Sequence, residues 1–551
     1  MPRRSLVRLY RDEFTHYSLA KFWQDLYAGF NVALVALPLA LAFGVASGAS
    51  AGAGLITSIV GGIIIGLLAG APYQISGAKA VTSVVLIVLV TQYGLEGMWV
   101  AGILAGLLMF IIGMLRLGRF IGFIPAPVIN GFTAGISLII LIRQTDNFAG
   151  IHTPVTQTAA QKLIGYFTII GLHPDLHSIL LGCLVIGIML LWPAKWNTRF
   201  PSSLMGLILV ALLNRALGWS AATIGFIPQT LILEKHFSFA NIPWQHMSEF
   251  IAPALTLTAL GSVEALMTGA VGSDMTGIRL QVNQQLIAQG TGNFLLPFFG
   301  GIPTTSGLLR TKVAINSGGQ TRLVAIIHGL VLMAIMFTLA RFLEWIPVPA
   351  LAAVLMVTAL RSIDMSSVRF IFRNRFKTDM IAFSIALLAT VALSLTNAIL
   401  LGTFLAGAVF LNKIASIDIS IQEVDIDRLK QKGIETTGQC KHVRVAFLTG
   451  PLFFAAAGQF NETFADLKET HALILSMRGV PLIDTAGLEA IQRLHQRLQK
   501  QGGTLMFAGI HDNARQMMER GGLIEILGEE NFFWSSDQAI VEAERRGCKF
   551  C

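Results

Sequence analysis

Between Leu26 and Leu411 charged residues are sparse, and apolar runs follow one another with little between them. Runs of about 20 such residues match the hydrocarbon thickness of a bilayer. The composition agrees, with 54% hydrophobic and 13% charged residues among 551 and a mean hydropathy of +0.67. This is a polytopic membrane protein, not a soluble one. After Lys413 the sequence turns ordinary and mixed, leaving a tail of roughly 130 residues, enough to bury a core of its own.

The runs place spans near 27–48, 52–70, 97–117, 122–142, 175–193, 201–220, 249–273, 284–302, 321–343, 346–361, 378–395 and 396–413. Two further runs, 79–93 and 306–317, are too short to cross alone. Together they make fourteen segments, and an even count puts both ends on one side. Basic residues decide which. They collect at the N-terminus and after even-numbered spans, at Arg116 and Arg119, at Lys195 and Arg199, and from Arg361 to Lys377. The termini are therefore expected in the cytoplasm, and the segments 143–174 and 221–248 outside. The expected membrane is a bacterial inner membrane. MPRRSLVRLYRDEF lacks the apolar region and cleavage site of a signal peptide. Aromatics at Tyr17–Tyr27 suggest a short interfacial helix before the first span. The net charge of +9 is not a nucleic-acid signal here, and no nucleic-acid partner is expected. Four cysteines, with Cys183 mid-span, give no disulfide framework. The terminal CKFC (Cys548, Cys551) has metal-like spacing but stands alone; no cofactor or metal is expected.

The two short runs resemble each other. APYQISGAKAV precedes the first, and IPTTSGLLRTKVAI carries the second. Each has a Pro, then Ser-Gly, then a short apolar helix. They are third and tenth in order, equivalent places in two halves of seven, which is the pattern of an inverted repeat with discontinuous helices. A half-helix beginning at mid-membrane leaves its first N–H groups unpaired, and those donors with the positive dipole end favour an anion. Irregular backbone at that depth survives only where it lines a cavity. Gly77 and Gly307 permit close approach of a ligand. Lys79 and Arg310 add full charges in the first turns. The plainer reading of both is snorkelling, or pairing with a structural counter-ion. Glu264, the only acid inside the apolar body of the eighth span, fits that counter-ion role and also a proton or cation site coupled to transport.

These stretches resemble the SulP family, the sulfate permeases and their solute carrier family 26 relatives. DLYAGFNVALVALPLALAFGVASG is similar to that family's first span, with an aromatic at Phe43. ALGSVEALMTGAV and NQQLIAQGTGNFLLPFFGGIP are similar to its eighth and ninth, and PTTSGLLRTKVAINSGGQT to its tenth. The resemblance implies a core of spans one to four and eight to eleven, a gate of the others, a homodimer, and movement of core past gate. It places the anion between the half-helices, near Phe43, Ser76, Gly77, Ala78, Lys79, Thr305, Ser306, Gly307, Leu308 and Arg310. Two departures stand out. Many relatives have a small or hydroxyl residue where Lys79 stands. In the sodium-coupled bicarbonate branch the tenth segment lacks an arginine; Glu264 and Thr268 match that branch in kind, but Leu308 stands where a hydroxyl is expected.

The tail changes period. HVRVAFLTG, HALILSMRG and GTLMFAGI read as strands. IDTAGLEAIQRLHQRLQKQGG reads as a helix capped by Asp484 or Thr485, and HDNARQMMERGG as another. Alternation of this kind makes a small α/β layer domain, and it resembles a STAS domain, in which the place of Thr485 is a phosphorylated serine in some relatives. The expected domains are 1–26 at the N-terminus, 27–413 in the membrane, a linker 414–439, and the tail domain 440–545. No nucleophile–base constellation or NTP-binding loop appears, so neither an enzyme nor a primary pump is expected. Secondary transport of an anion is the leading expectation: sulfate first, bicarbonate or a dicarboxylate next, driven by protons and less readily by sodium. A membrane anion sensor signalling through the tail is the rival.

Overall fold

In the computed structural model, the described residues are 6–547 apart from 119–125, 155, 157, 169–172, 198–199, 220, 394–400, 403, 405–406, 410, 412–416, 425–428, 430–441 and 468–469. Two compact units divide the chain, 1–406 and 407–551.

In the first unit thirteen of the fourteen expected segments are described. Leu19–Ala46 is span one, Ala51–Leu68 span two, and Ala80–Met114 holds spans three and four, separated at Gly94. There φ is +70°, a conformation that glycine adopts without steric cost. Spans five to seven are Ala126–Ala149, Leu176–Leu191 and Ser202–Ala216. Spans eight to thirteen are Ile251–Thr276, Val282–Leu295, Leu308–Asn316, Leu323–Leu343, Val348–Ser362 and Lys377–Ala392. Most of the fourteenth, 396–413, lies outside the described residues, as does the terminal CKFC.

Where spans four and nine cross, Gly106 faces Gly290. A Cβ on Gly290 would lie 2.5 Å from the Phe110 nitrogen, and one on Gly106 2.5 Å from the Phe294 nitrogen. Lipid gives no hydrophobic drive between helices, so close backbone approach of this kind supplies the attraction.

Three local expectations change. The separate N-terminal helix is Leu6–Phe14, upstream of the aromatic stretch, and Tyr17–Tyr27 instead carries the turn and the opening of span one. His16 at φ +66° breaks the chain, and Ser18 caps the new helix by accepting from the Lys21 N–H. The helix Leu6–Phe14 is anchored by Arg322, which is 1% exposed and pairs with Glu13. Arg322 also donates to the Leu67 carbonyl at 2.6 Å and stacks on Tyr10 at 4.1 Å. Removing one partner of a buried pair of this kind typically costs ~3–5 kcal/mol. The segment 143–174 is not all loop: span five runs to Ala149, and Ala159–Thr168 is helical. The basic stretch after span twelve contains the helix Met365–Arg373.

Two strands of two residues interrupt the membrane unit, β1 (Ser76–Gly77) and β2 (Thr305–Ser306). The tail holds β3 (Asp418–Glu423), β4 (Val443–Thr449), β5 (Ala472–Gly479), β6 (Thr504–Ala508) and β7 (Phe532–Phe533), in that spatial order. All pairs are parallel except β3–β4. Successive residues of β5 feed opposite faces. Leu473 and Leu475 pack with the helix Thr485–Lys500, and Ala472 and Ile474 with Ser536–Arg545. Two covered faces are what a parallel sheet requires.

β3 lies in the stretch expected to be linker. It pairs with β4 along its whole length, so the tail's sheet begins at Asp418. Chain termination just before Asp418 is expected to leave a monodisperse membrane unit on size-exclusion chromatography. Termination after Gln439 strands β3, with Ile419 and Ile421 uncovered and an open edge, and is expected to give an aggregating product.

Candidate functional site

β1 and β2 pair antiparallel, Ser76 opposite Ser306 and Gly77 opposite Thr305. The equivalent serines of the two halves thus face each other, as expected at a two-fold axis in the membrane plane. The two serine hydroxyls lie 3.3 Å apart, and the Gly307 N–H donates to the Ile75 carbonyl at 2.8 Å.

Backbone this deep must find partners within the protein, and span nine supplies many of them. Gln285 donates to the Ser306 hydroxyl at 3.3 Å and Gln289 to the Thr304 carbonyl at 2.7 Å. Asn293 both donates to that carbonyl, at 3.0 Å, and accepts from the Thr304 N–H, at 2.7 Å. These amides recur every four residues, one face of a helix. That spacing was readable in NQQLIAQGTGNF, but it was not singled out.

Behind the strands each half-helix begins without a side-chain cap. Lys79 is the N-cap residue of span three and Gly307 of span ten. Their first N–H groups remain available to an anion. Lys79 therefore sits one residue ahead of the helix instead of inside its first turn. Its ammonium pairs with Glu264 and donates to the Ser306 carbonyl at 2.9 Å. Thr268 reaches the same carbonyl at 3.5 Å. Of the two cations that Glu264 was expected to balance, Lys79 is the one it meets.

Among the described residues Arg310 has no such partner. It is 3% exposed, and its Nη2 donates to the Ala78 carbonyl of the opposite half at 2.6 Å. Its Nη1 is buried without a hydrogen bond, as are Ser58 Oγ and both ring nitrogens of His328. Snorkelling is thereby excluded, since the guanidinium turns inward. Gly77 has a packing role besides the one expected. A Cβ there would stand 2.0 Å from Arg310 Nη1 and 2.9 Å from Ser58 Oγ, so the glycine makes room for the guanidinium. Gly77→Ala is expected to displace Arg310 and destabilise the membrane unit by ~1–3 kcal/mol, measured as a lowered melting temperature in detergent. Gly307 has an ordinary φ of −102°, and a Cβ there would make only normal contacts. Ala78, Thr305 and Ser306 are fully buried, and Leu308 is half-buried.

Phe43 is 5% exposed on span one. It lines a cavity of about 240 Å³ with Ala80 and Ser83 at the start of span three, Arg143 and Gln144 of span five, and Lys162. The last three were not anticipated, because charges in 143–174 read as solvent-facing loop. Lys162 instead pairs with Asp146, which also accepts from Tyr166 at 2.6 Å and Thr153 at 2.8 Å. Burial, then the Asp146 carboxylate, raise the Tyr166 hydroxyl above its ordinary range, so it remains a donor. In the tail, Asp484 is the helix cap, accepting from the Gly487 N–H at 2.9 Å. Thr485 is the first helical residue and is exposed.

Known proteins are similar to this chain in sequence and fold. A model of the sulfate permease family matches residues 22–389, and a STAS domain model residues 434–539. YvdB of Bacillus subtilis (strain 168), named a provisional sulfate transporter, is 28% identical over 534 residues, 95% of this chain and 98% of its own. The bicarbonate transporter BicA of Picosynechococcus sp. is 27% identical over 548 residues, 94% of each chain. The murine solute carrier 26 member A9 anion transporter, in its inward-facing state, shares the fold with a TM-score of 0.87, covering 99% of this chain and 95% of its own at 19% identity. The transmembrane domain of a cyanobacterial BicA gives 0.63 at 27% identity, covering 70% of this chain and 98% of its own. With its broken third and tenth spans paired across a pseudo-two-fold, this integral membrane protein belongs to the sulfate permease family of anion transporters and carries a C-terminal STAS domain.

Proposed function

We propose that the protein is a secondary active transporter of sulfate, driven by protons. The observation that carries this reading is the buried, acid-free guanidinium of Arg310 beside two uncapped half-helix starts. Arg310, Lys79 and Glu264 together carry one net positive charge, too little for a dianion. A proton on Glu264 raises it to two, so sulfate and proton enter together. Relatives named for sulfate support this order, and those named for bicarbonate keep bicarbonate as the second choice, with dicarboxylates after it. Sodium coupling is disfavoured because an ammonium already occupies the Glu264 carboxylate, and Leu308 offers no oxygen.

The core moves past the gate in a homodimer, in a bacterial inner membrane with both termini in the cytoplasm. The positive-inside distribution of Arg116, Lys195 and the Arg361–Lys377 cluster supports that orientation. Exposed Thr485 is a candidate phosphorylation site for regulation through the tail. The test is uptake into proteoliposomes of sulfate, bicarbonate, succinate and chloride, each with and without an inward proton gradient. Gradient-driven accumulation of sulfate above the other three is the expected result. Accumulation of none, with binding intact, favours the sensor reading.

A further inference from the structure

A depression of about 1120 Å³ opens on the membrane face that carries the N-terminal helix. Its walls come from that helix, from the start of span one, and from the ends of spans two, four, eight, nine and ten. Every wall belongs to the core, so it is not the passage between core and gate through which substrate would enter. Four cations line it, Arg8, Lys21, Arg116 and Arg279, and among the described residues the side chains of the last three have no hydrogen-bond or ion-pair partner. The acids nearby are engaged elsewhere: Glu13 holds Arg322, and Asp12 has a partner of its own.

Two further observations bear on what the depression could hold. Arg116 follows the end of span four at φ +62°. Glycine ordinarily takes that post-helix position because a side chain there is sterically costly; here an arginine holds it. Leu107, Phe110, Ile111 and Met114 on span four are all exposed. Their spacing puts them on one helical face, which is apolar, faces lipid, and ends at the mouth of the depression, where Met114 and Arg116 are wall residues. An acyl chain laid along this stripe brings its head group among those last three cations.

We infer that the depression is a binding site for an anionic phospholipid, its phosphate held by Lys21, Arg116 and Arg279. Basic pockets between spans at the cytoplasmic surface bind such head groups. The lipid would tie the N-terminal helix to the moving core.

The full-length protein, purified in detergent and supplied with equal phosphatidylglycerol and phosphatidylcholine, tests this by native mass spectrometry. Wild type is expected to retain phosphatidylglycerol in preference. The triple variant Lys21→Gln, Arg116→Gln, Arg279→Gln is expected to lose that preference by about tenfold or more. A control triple of exposed arginines, Arg369→Gln, Arg373→Gln, Arg375→Gln, is expected to keep it. Single Arg279→Gln, in an exposed connection, gives a smaller loss should the triple misfold. Unchanged retention in the Lys21 triple, or equal loss in the control, overturns the site. Displacement of the lipid by millimolar sn-glycerol 3-phosphate overturns the lipid assignment in favour of a soluble phosphate ester.

Discussion

Arg310→Ala is expected to weaken sulfate binding by a hundredfold or more while the membrane unit still folds. Both parts follow from what the guanidinium touches. It meets the Ala78 carbonyl and no acid, so its burial is a standing desolvation cost. Removing it abolishes that cost and forfeits one hydrogen bond, worth about 1 kcal/mol net. For the anion the balance is reversed. A buried, hydrogen-bonded charge partner is typically worth ~2–5 kcal/mol to its ligand, and each 1.4 kcal/mol is about tenfold in affinity. Isothermal titration with sulfate, alongside a melting curve, separates the two effects. Arg310→Lys keeps the charge but loses the planar fork that can hold Ala78 and an oxyanion at once; partial recovery of affinity is expected. Wild-type affinity in Arg310→Ala would make the arginine a structural strut between the two halves.

Glu264→Gln is expected to separate binding from the proton gradient. On the proton-coupled reading, Lys79 is the partner of the Glu264 carboxylate in the empty site. A dianion competes for Lys79. Glu264 is then left as a partly buried charge without a partner, which is unfavourable, and on that reading it takes a proton. Anion and proton thus favour each other's binding, and the coupling is reciprocal. Gln cannot lose a proton, so the mutant resembles the loaded state and frees Lys79 from its partner. Sulfate affinity should be at least that of wild type and nearly independent of pH, while accumulation under an imposed inward proton gradient disappears. Gradient-driven uptake equal to wild type would leave Glu264 as a counter-ion only. The double variant Lys79→Gln, Glu264→Gln restores the site's net charge; it is expected to bind more weakly than Glu264→Gln and to remain uncoupled.

The breaks in spans three and ten were legible because Pro, Ser and Gly interrupt an apolar run in the same order twice. The tail's strands were legible because HVRVAF and ALILSM sit between clear helix caps. What side chains do across the fold was not. Arg310 and Gly77 are 233 residues apart, by their numbers in the chain, and nothing local in PYQISGAK says that its glycine makes room for an arginine in the other half. The same holds for the choice of Lys79 over Arg310 as partner of Glu264. Asp146 and Lys162 were missed because charges at a span's end ordinarily face water, and only the fold shows them turned inward against Phe43's cavity. The strand Asp418–Glu423 was missed although DISIQE alternates, because it follows directly on the last apolar run and was counted with the linker.

The pairing of Lys79 with Glu264 spans 185 residues of chain, and the order of synthesis gives that distance a duration. At 5–20 residues per second, roughly 10–40 s separate the two. Throughout that interval the nascent first repeat holds an ammonium, an uncapped helix start and an unpaired strand, with none of the groups that satisfy them. Bilayer interior cannot accept such a segment, so it must wait at the interface or in the shelter of the insertion machinery until the second repeat emerges. Neither half is therefore viable in the bilayer without the other.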